Sequence, residues 1–185
     1  MGKPFEHEPV KLVIGVLFSD EKRYLLARER VCSLYGVLDY ESPPFEFSFT
    51  HYYDEEMGVP IFRVFLSFEK LIQPEEIVEI KLQTNNIEEE LAVEGKRLVN
   101  LDPGYMQLGK FILATTKDQM HRIYLARGIY AEVTLHYHKK NWQSWPWTYP
   151  DYASDDYKRI LKEIREIYYK QLKAIGGNIP RHTEK

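Results

Sequence analysis

The sequence predicts an α+β fold, an elaborated ferredoxin-like antiparallel sheet (β-α-β-β-α-β) with additional strands and a long C-terminal helix. Three observations predict it. Short β-branched or alternating segments read as strands, apolar residues at helical spacing fall between them, and the order in which the two kinds follow one another is that of the ferredoxin-like unit.

The first strand is Val10–Phe18, V-K-L-V-I-G-V-L-F, a nearly continuous apolar run of the kind buried on both faces. Ser19 and Asp20 then offer capping oxygens to a helix over Glu21–Tyr35, where Tyr24, Ala27, Val31 and Tyr35 share one face and Gly36 supplies the C-terminal stop. After Pro43-Pro44, the aromatic and polar residues of Phe45–Tyr53 alternate with period two, predicting a strand with one buried face. A turn at Met57–Pro60 leads to a second strand, Ile61–Phe68. Pro74 suits the first position of a helix whose face is Ile77, Ile80, Thr84, Ile87 and Leu91, and Arg97–Leu101 closes the unit as a short strand. Phe111–Thr116, His121–Leu125 and Ile129–His138 are further strands, the last two joined by a tight Arg127-Gly128 turn and expected to extend the same sheet. A tryptophan-rich loop precedes a helix over Asp155–Ile175, where Tyr157, Ile160, Leu161, Ile164, Ile167, Tyr168, Leu172 and Ile175 repeat at helical spacing. The polar stretch from about 177 to 185 reads as a tail, and no linker or repeat divides the chain, so one domain is expected.

Composition narrows the function classes. With 44% hydrophobic and 29% charged residues the 185-residue chain has the make-up of a globular protein. No apolar run reaches the roughly 18 residues of a membrane span, no secretory leader is visible, and the lone Cys32 cannot form an internal disulfide, so a cytoplasmic setting is expected. A net charge of −3 is wrong for the basic stripe that non-specific nucleic-acid binding needs. The oligomeric state is not legible.

Several stretches stand out together: T-H-Y-Y-D-E-E-M-G at Thr50–Gly58, K-L-Q-T-N at Lys81–Asn85, V-N-L-D-P-G-Y at Val99–Tyr105, A-T-T-K-D at Ala114–Asp118, H-R-I-Y-L at His121–Leu125, G-I-Y-A-E-V-T-L at Gly128–Leu135 and T-Y-P-D-Y at Thr148–Tyr152. From about Val10 to Tyr169 the chain resembles the family catalogued as domain of unknown function 4416. The resemblance implies a shared fold and no particular activity. The GTP-binding label that some members carry finds no support in these residues. There is no G-x-x-x-x-G-K-[ST] loop, and Thr116-Lys117-Asp118 lacks the residue that a guanine-reading Asn/Thr-Lys-x-Asp motif places before its Asp.

Four polar clusters are candidates for chemistry. Between Arg97 and Arg122 four cations (Arg97, Lys110, Lys117, Arg122) face two carboxylates (Asp102, Asp118) in an otherwise acidic chain. Lys and Arg beside Asn100, Thr115 and Thr116 suit a phosphate or carboxylate, the lysine as a point charge and the arginines as forks; the bland alternative is a solvated loop around an Asp102-Pro103-Gly104 turn. Along Tyr130–His138, alternation puts Glu132, Thr134, His136 and His138 on one face, where a carboxylate and two imidazoles, completed by His121 or His51, can ligate a divalent metal, or simply form the wet side of the sheet. Thr50–Gly58 sets His51 beside Asp54, Glu55 and Glu56, a set suited to general-base work, to ligating a metal, or to an exposed acidic turn, with Arg63 in reach. The loop Asn141–Tyr152 holds Trp142, Trp145 and Trp147, which either clasp the loop to the body or stack on a ligand.

The function these clusters point to is binding or transforming a small phosphorylated or carboxylated ligand, nucleotides included. Arg97, Asn100, Thr116, Lys117, Arg122 and Trp145 are then the ligand-binding residues, Asp102 and His121 the acid–base pair, and Glu132, His136 and His138 the metal set. The alternative is a non-catalytic protein-interaction domain that docks through its tryptophan loop and polar sheet face.

Overall fold

A computed structural model describes residues 2–177 and 179. The strands are β1 Lys11–Phe18, β2 Leu38–Glu41, β3 Phe45–Glu46, β4 Phe62–Phe68, β5 Val99–Gln107, β6 Lys110–Thr115, β7 Ile123–Ala126, β8 Ile129–His138 and β9 Asn141–Ser144. The helices are α1 Glu21–Tyr35, α2 Asp54–Met57, α3 Ile77–Glu90, α4 Pro150–Ala153 and α5 Asp155–Ala174, with a 3-10 turn at Pro74–Glu76 before α3. The tail expected from about residue 177 lies outside the described residues, Gly177 and Ile179 apart.

All nine strands join one antiparallel sheet in the order β2-β4-β1-β5-β6-β8-β7, with β3 on β4 and β9 on β8. The fold is therefore α+β, and the later strands extend the first sheet. Alternation along β1 and β4 divides the side chains between two cores. Leu12, Ile14, Val16, Val64 and Leu66 pack with α1 and α3, while Val13 and Phe65 pack with Tyr157, Leu161 and Ile164 of α5 on the opposite face. Local chemistry holds the ends: Asp20 caps α1 by accepting from Arg23 N–H, Ser154 caps α5 at Tyr157, and Arg127-Gly128 turns with both residues at positive φ. Among the described residues no helix is long and apolar enough to cross a membrane.

Two expectations are corrected. The alternating stretch Phe45–Tyr53 pairs only at Phe45–Glu46, and the strand lying beyond β4 is Leu38–Glu41. After Phe47 the chain leaves the ladder: Thr50 accepts from Tyr52 N–H, His51 bonds Asp54, and Phe47 and Met57 pack on Leu17 and Ile61. The aromatic alternation there serves packing and not pairing. Second, Asp102-Pro103-Gly104 is no turn but the middle of β5, opposite Gly15, Ile14 and Val13 of β1. Glycine is required at 104 because a Cβ would run into the Ile112 carbonyl of β6. Proline has no N–H to donate, and the β5–β6 ladder stops one residue short of it, at Gly104↔Leu113. Beyond that point β5 and β6 part.

Candidate functional site

Where β5 and β6 part, a cleft of about 730 Å³ opens, the size range of small-molecule sites. Its depth is set by β5. The Leu101 N–H and C=O point away from β1 and find no strand partner, so α3 supplies one: Glu88 Oε1 accepts from Leu101 N at 2.6 Å, and Lys81 Nζ donates to Leu101 O at 3.0 Å. Burial raises the Glu88 carboxyl above its ordinary range against the pull of Lys81 and Arg97.

At the bottom lies Arg63, 2% exposed, on the α5 face of β4. It fits because Gly15 faces it across β1: a Cβ at 15 would stand 2.8 Å from Arg63 Nη1. Its Nε donates to Tyr157 Oη at 2.9 Å, Nη1 to Asp102 at 3.3 Å and Nη2 to Asp151 at 3.3 Å, with Phe47, Phe65, Tyr152 and Tyr157 rings around the guanidinium. Burial opposes its charge, but the surrounding tyrosines and carboxylates raise its pKa further still. Asp151 is also pinned by Tyr152 N–H, and burial holds its carboxyl above the ordinary range despite Arg63.

That shift has a sign that unfolding measurements can read. A carboxyl with a raised folded pKa binds its proton more tightly when folded, so its contribution to stability falls as pH rises through the raised value. In Asp151→Asn, which resembles the protonated acid, that loss disappears. Stability relative to the parent should therefore climb as pH increases from about 4, the ordinary aspartate value, toward neutrality. Urea unfolding of both proteins across that range checks it, and a relative decline with pH would contradict it.

The remaining cations of the cleft are occupied. Arg97 makes a two-bond fork with Glu56, at 2.6 and 2.8 Å, and its Nη1 reaches Glu88 and Asn100. Arg122 donates to Glu132 at 2.9 Å, to the Lys117 carbonyl and to Tyr149 Oη. Lys117 differs. Its Nζ stands 4.9 Å from the centre of the Tyr52 ring at the cleft mouth and donates only a long bond, 3.5 Å, to Tyr52 Oη, and no carboxylate pairs with it among the described residues.

Of the residues expected from sequence, Arg97, Asn100, Asp102, Thr116, Lys117 and Arg122 all line this cleft. Thr115, Thr116 and Lys117 do so together because the strand ends at Thr115, where alternation ceases to divide them. Trp145 does not line it. It lies between His136, tilted against it with centroids 4.3 Å apart, and Trp147, on which it stacks at 5.3 Å, and Trp147 in turn stacks on His121. His121 is held in that stack with its Nε2 3.1 Å from Glu132, so it does not share the cleft floor with Asp102 as an acid–base pair. The proposed metal set is not assembled either. A bulge opposite Phe111-Ile112 makes Thr134 the extra residue, breaks the alternation and leaves Glu132 on the face opposite His136. Glu132 is taken by Arg122 and His121, His138 is exposed beside the turn, and no group of three metal-ligating side chains occurs among the described residues. In the acidic segment, Glu56 serves Arg97, while Arg63 turns away from it.

Asp151, Tyr152 and Glu88 were not singled out from sequence as parts of a site, while Arg63 was read only as in reach of the acidic segment and Lys81 only as part of the K-L-Q-T-N stretch. One signal was readable: Arg63, Phe65 and Ser67 alternate on the buried face of an otherwise apolar strand, and a charge there needs a buried partner. Asp151 lies within the T-Y-P-D-Y stretch already marked by resemblance.

A family model described as domain of unknown function (DUF4416) matches residues 8–168. No curated protein and no solved structure matches the chain.

Proposed function

The chain belongs to the DUF4416 family, whose description assigns no activity, and from the cleft alone we propose that it binds a small phosphorylated or carboxylated molecule. One observation carries this. In a cleft whose arginines are paired with carboxylates and whose Lys81 is held by a carbonyl, Lys117 alone among the described cations keeps a charge at the mouth with no carboxylate on it. Thr115 and Thr116 beside it bring hydroxyls, and Arg122 retains N–H groups beyond its three bonds. An anionic group set there meets a cation at low desolvation cost, and the exposed rings of Phe49, Tyr52 and Tyr149 form the walls around the rest of the molecule. The cleft is favoured over a docking role for the tryptophan loop because Trp142 is buried and Trp145 and Trp147 stack on each other and on histidines. We infer also that β1-α1-β2-β4-α3-β5 is a ferredoxin-like unit, supported by its antiparallel order β2-β4-β1-β5 and by α1 and α3 packing on one face.

The test is a thermal-shift titration with inorganic phosphate and citrate, since a ligand of the folded state raises its stability by mass action. Both anions should raise the melting temperature of the parent. Lys117→Ala should weaken their binding about tenfold or more, the scale of one charge-assisted hydrogen bond, while its own stability stays within about 0.5 kcal/mol of the parent. A loss of several kcal/mol in the ligand-free variant makes Lys117 a structural partner and overturns the proposal.

A further inference from the structure

The floor of the cleft carries hydrogen-bonding groups that the protein itself leaves unused. Asn100 is 5% exposed, and its Oδ1 accepts from Arg97 Nη1 at 3.1 Å, which settles how the amide is turned. Its Nδ2 consequently points away from Arg97, and it has no partner among the described residues. The same is true of Tyr152 Oη, on a side chain 2% exposed that also lines the cleft. A buried donor without a partner is costly, and native proteins keep few of them. Asp102 adds the opposite kind of group. Its Oδ2 accepts from Arg63, its Oδ1 has no donor among the described residues, and its side chain is 29% exposed. Asn100 and Asp102 are two residues apart on β5, so both side chains stand on one face, about 7 Å apart along the strand.

A ligand group that satisfies this floor must donate to a carboxylate and accept from an amide at neighbouring atoms. A carbonyl only accepts and an ammonium only donates. A hydroxyl does both, and two adjacent hydroxyls serve both residues at once. The walls fit the same chemistry, since aromatic rings offer flat apolar faces to the C–H side of a sugar or to a base.

We propose that the cleft floor recognises a vicinal diol, held between Asp102 Oδ1 and Asn100 Nδ2, in a molecule whose anionic group sits at Lys117. The ligand class is a phosphorylated sugar, either alone or as the ribose phosphate of a nucleotide. This rests on the anion site proposed above. Because Asn100 Nδ2 is shut off from solvent, binding draws the amide toward the ligand, exchanging an unmet donor for a hydrogen bond.

Calorimetric titration of the full chain with ribose 5-phosphate, 2-deoxyribose 5-phosphate, inorganic phosphate and adenosine monophosphate tests it. Ribose 5-phosphate should bind at least about tenfold tighter than its 2-deoxy analogue, because a site built for a hydroxyl discriminates strongly against its absence. The preference should collapse in Asn100→Asp, which keeps the acceptor for Arg97 and removes the donor. Adenosine monophosphate binding tenfold tighter than ribose 5-phosphate assigns the walls to a base, and equal binding assigns the site to the sugar phosphate; either outcome supports the diol. Equal binding of ribose and deoxyribose phosphates, in the parent, leaves the anion site standing and overturns the diol. If none of the four probes binds, the anion site and the diol fall together.

Discussion

Replacing Arg63 with methionine is expected to cost about 3–5 kcal/mol at neutral pH, the range for removing one partner of a buried ion pair. The size follows from what remains. Asp102 and Asp151 both accept from the guanidinium, and without it Asp151, one of the most buried carboxyls, keeps only the Tyr152 N–H. The loss should shrink as pH falls, because protonation removes the uncompensated charge, whereas a mere packing defect would cost the same at pH 5 and pH 7. Adding Asp102→Asn and Asp151→Asn should return much of the stability, since what destabilises the single variant is the unpaired carboxylates and not the missing arginine. Urea unfolding of the single and triple variants decides it. A cost below about 1 kcal/mol for Arg63→Met would mean that the buried cluster contributes no net stability.

Trp142→Ala should be the next largest loss, about 3–5 kcal/mol, because the ring is 3% exposed and packs with Tyr137, Leu135 and the α5 residues. Trp147→Ala should cost far less, about 1 kcal/mol, the scale of its single hydrogen bond to the Val133 carbonyl. The choice between clasp and platform is thus made residue by residue. Trp142, brought in by β9, anchors the segment, while Trp145 and Trp147 lie in a ring stack that runs from His136 to His121. Equal losses for the Trp142 and Trp147 variants, by thermal or urea unfolding, would remove that division.

Local chemistry was sufficient for much of this protein. The Asp20 cap, the Tyr24–Tyr35 stripe of α1, the Arg127-Gly128 turn and the apolar face of α5 depend on neighbours a few residues away, and those neighbours are legible in the chain. The α+β class and the polar residues between Arg97 and Arg122 were legible for the same reason. What the tertiary structure alone decided is which partner each group takes. Pro103 and Gly104 look like a turn until β1 pairs with them and β6 stops short of them. Glu132, His136 and His138 look like one face until a single bulged residue separates the carboxylate from the imidazole nearest it. Arg97 looks like a ligand cation until Glu56, 41 residues away, occupies it, and Arg63 acquires its meaning only when Asp102 and Asp151 close on it from 39 and 88 residues away. Charge and hydrogen-bonding capacity are properties of a residue and can be read in order; the energy of burying them depends on who stands opposite, and that is fixed by the pairing of distant strands.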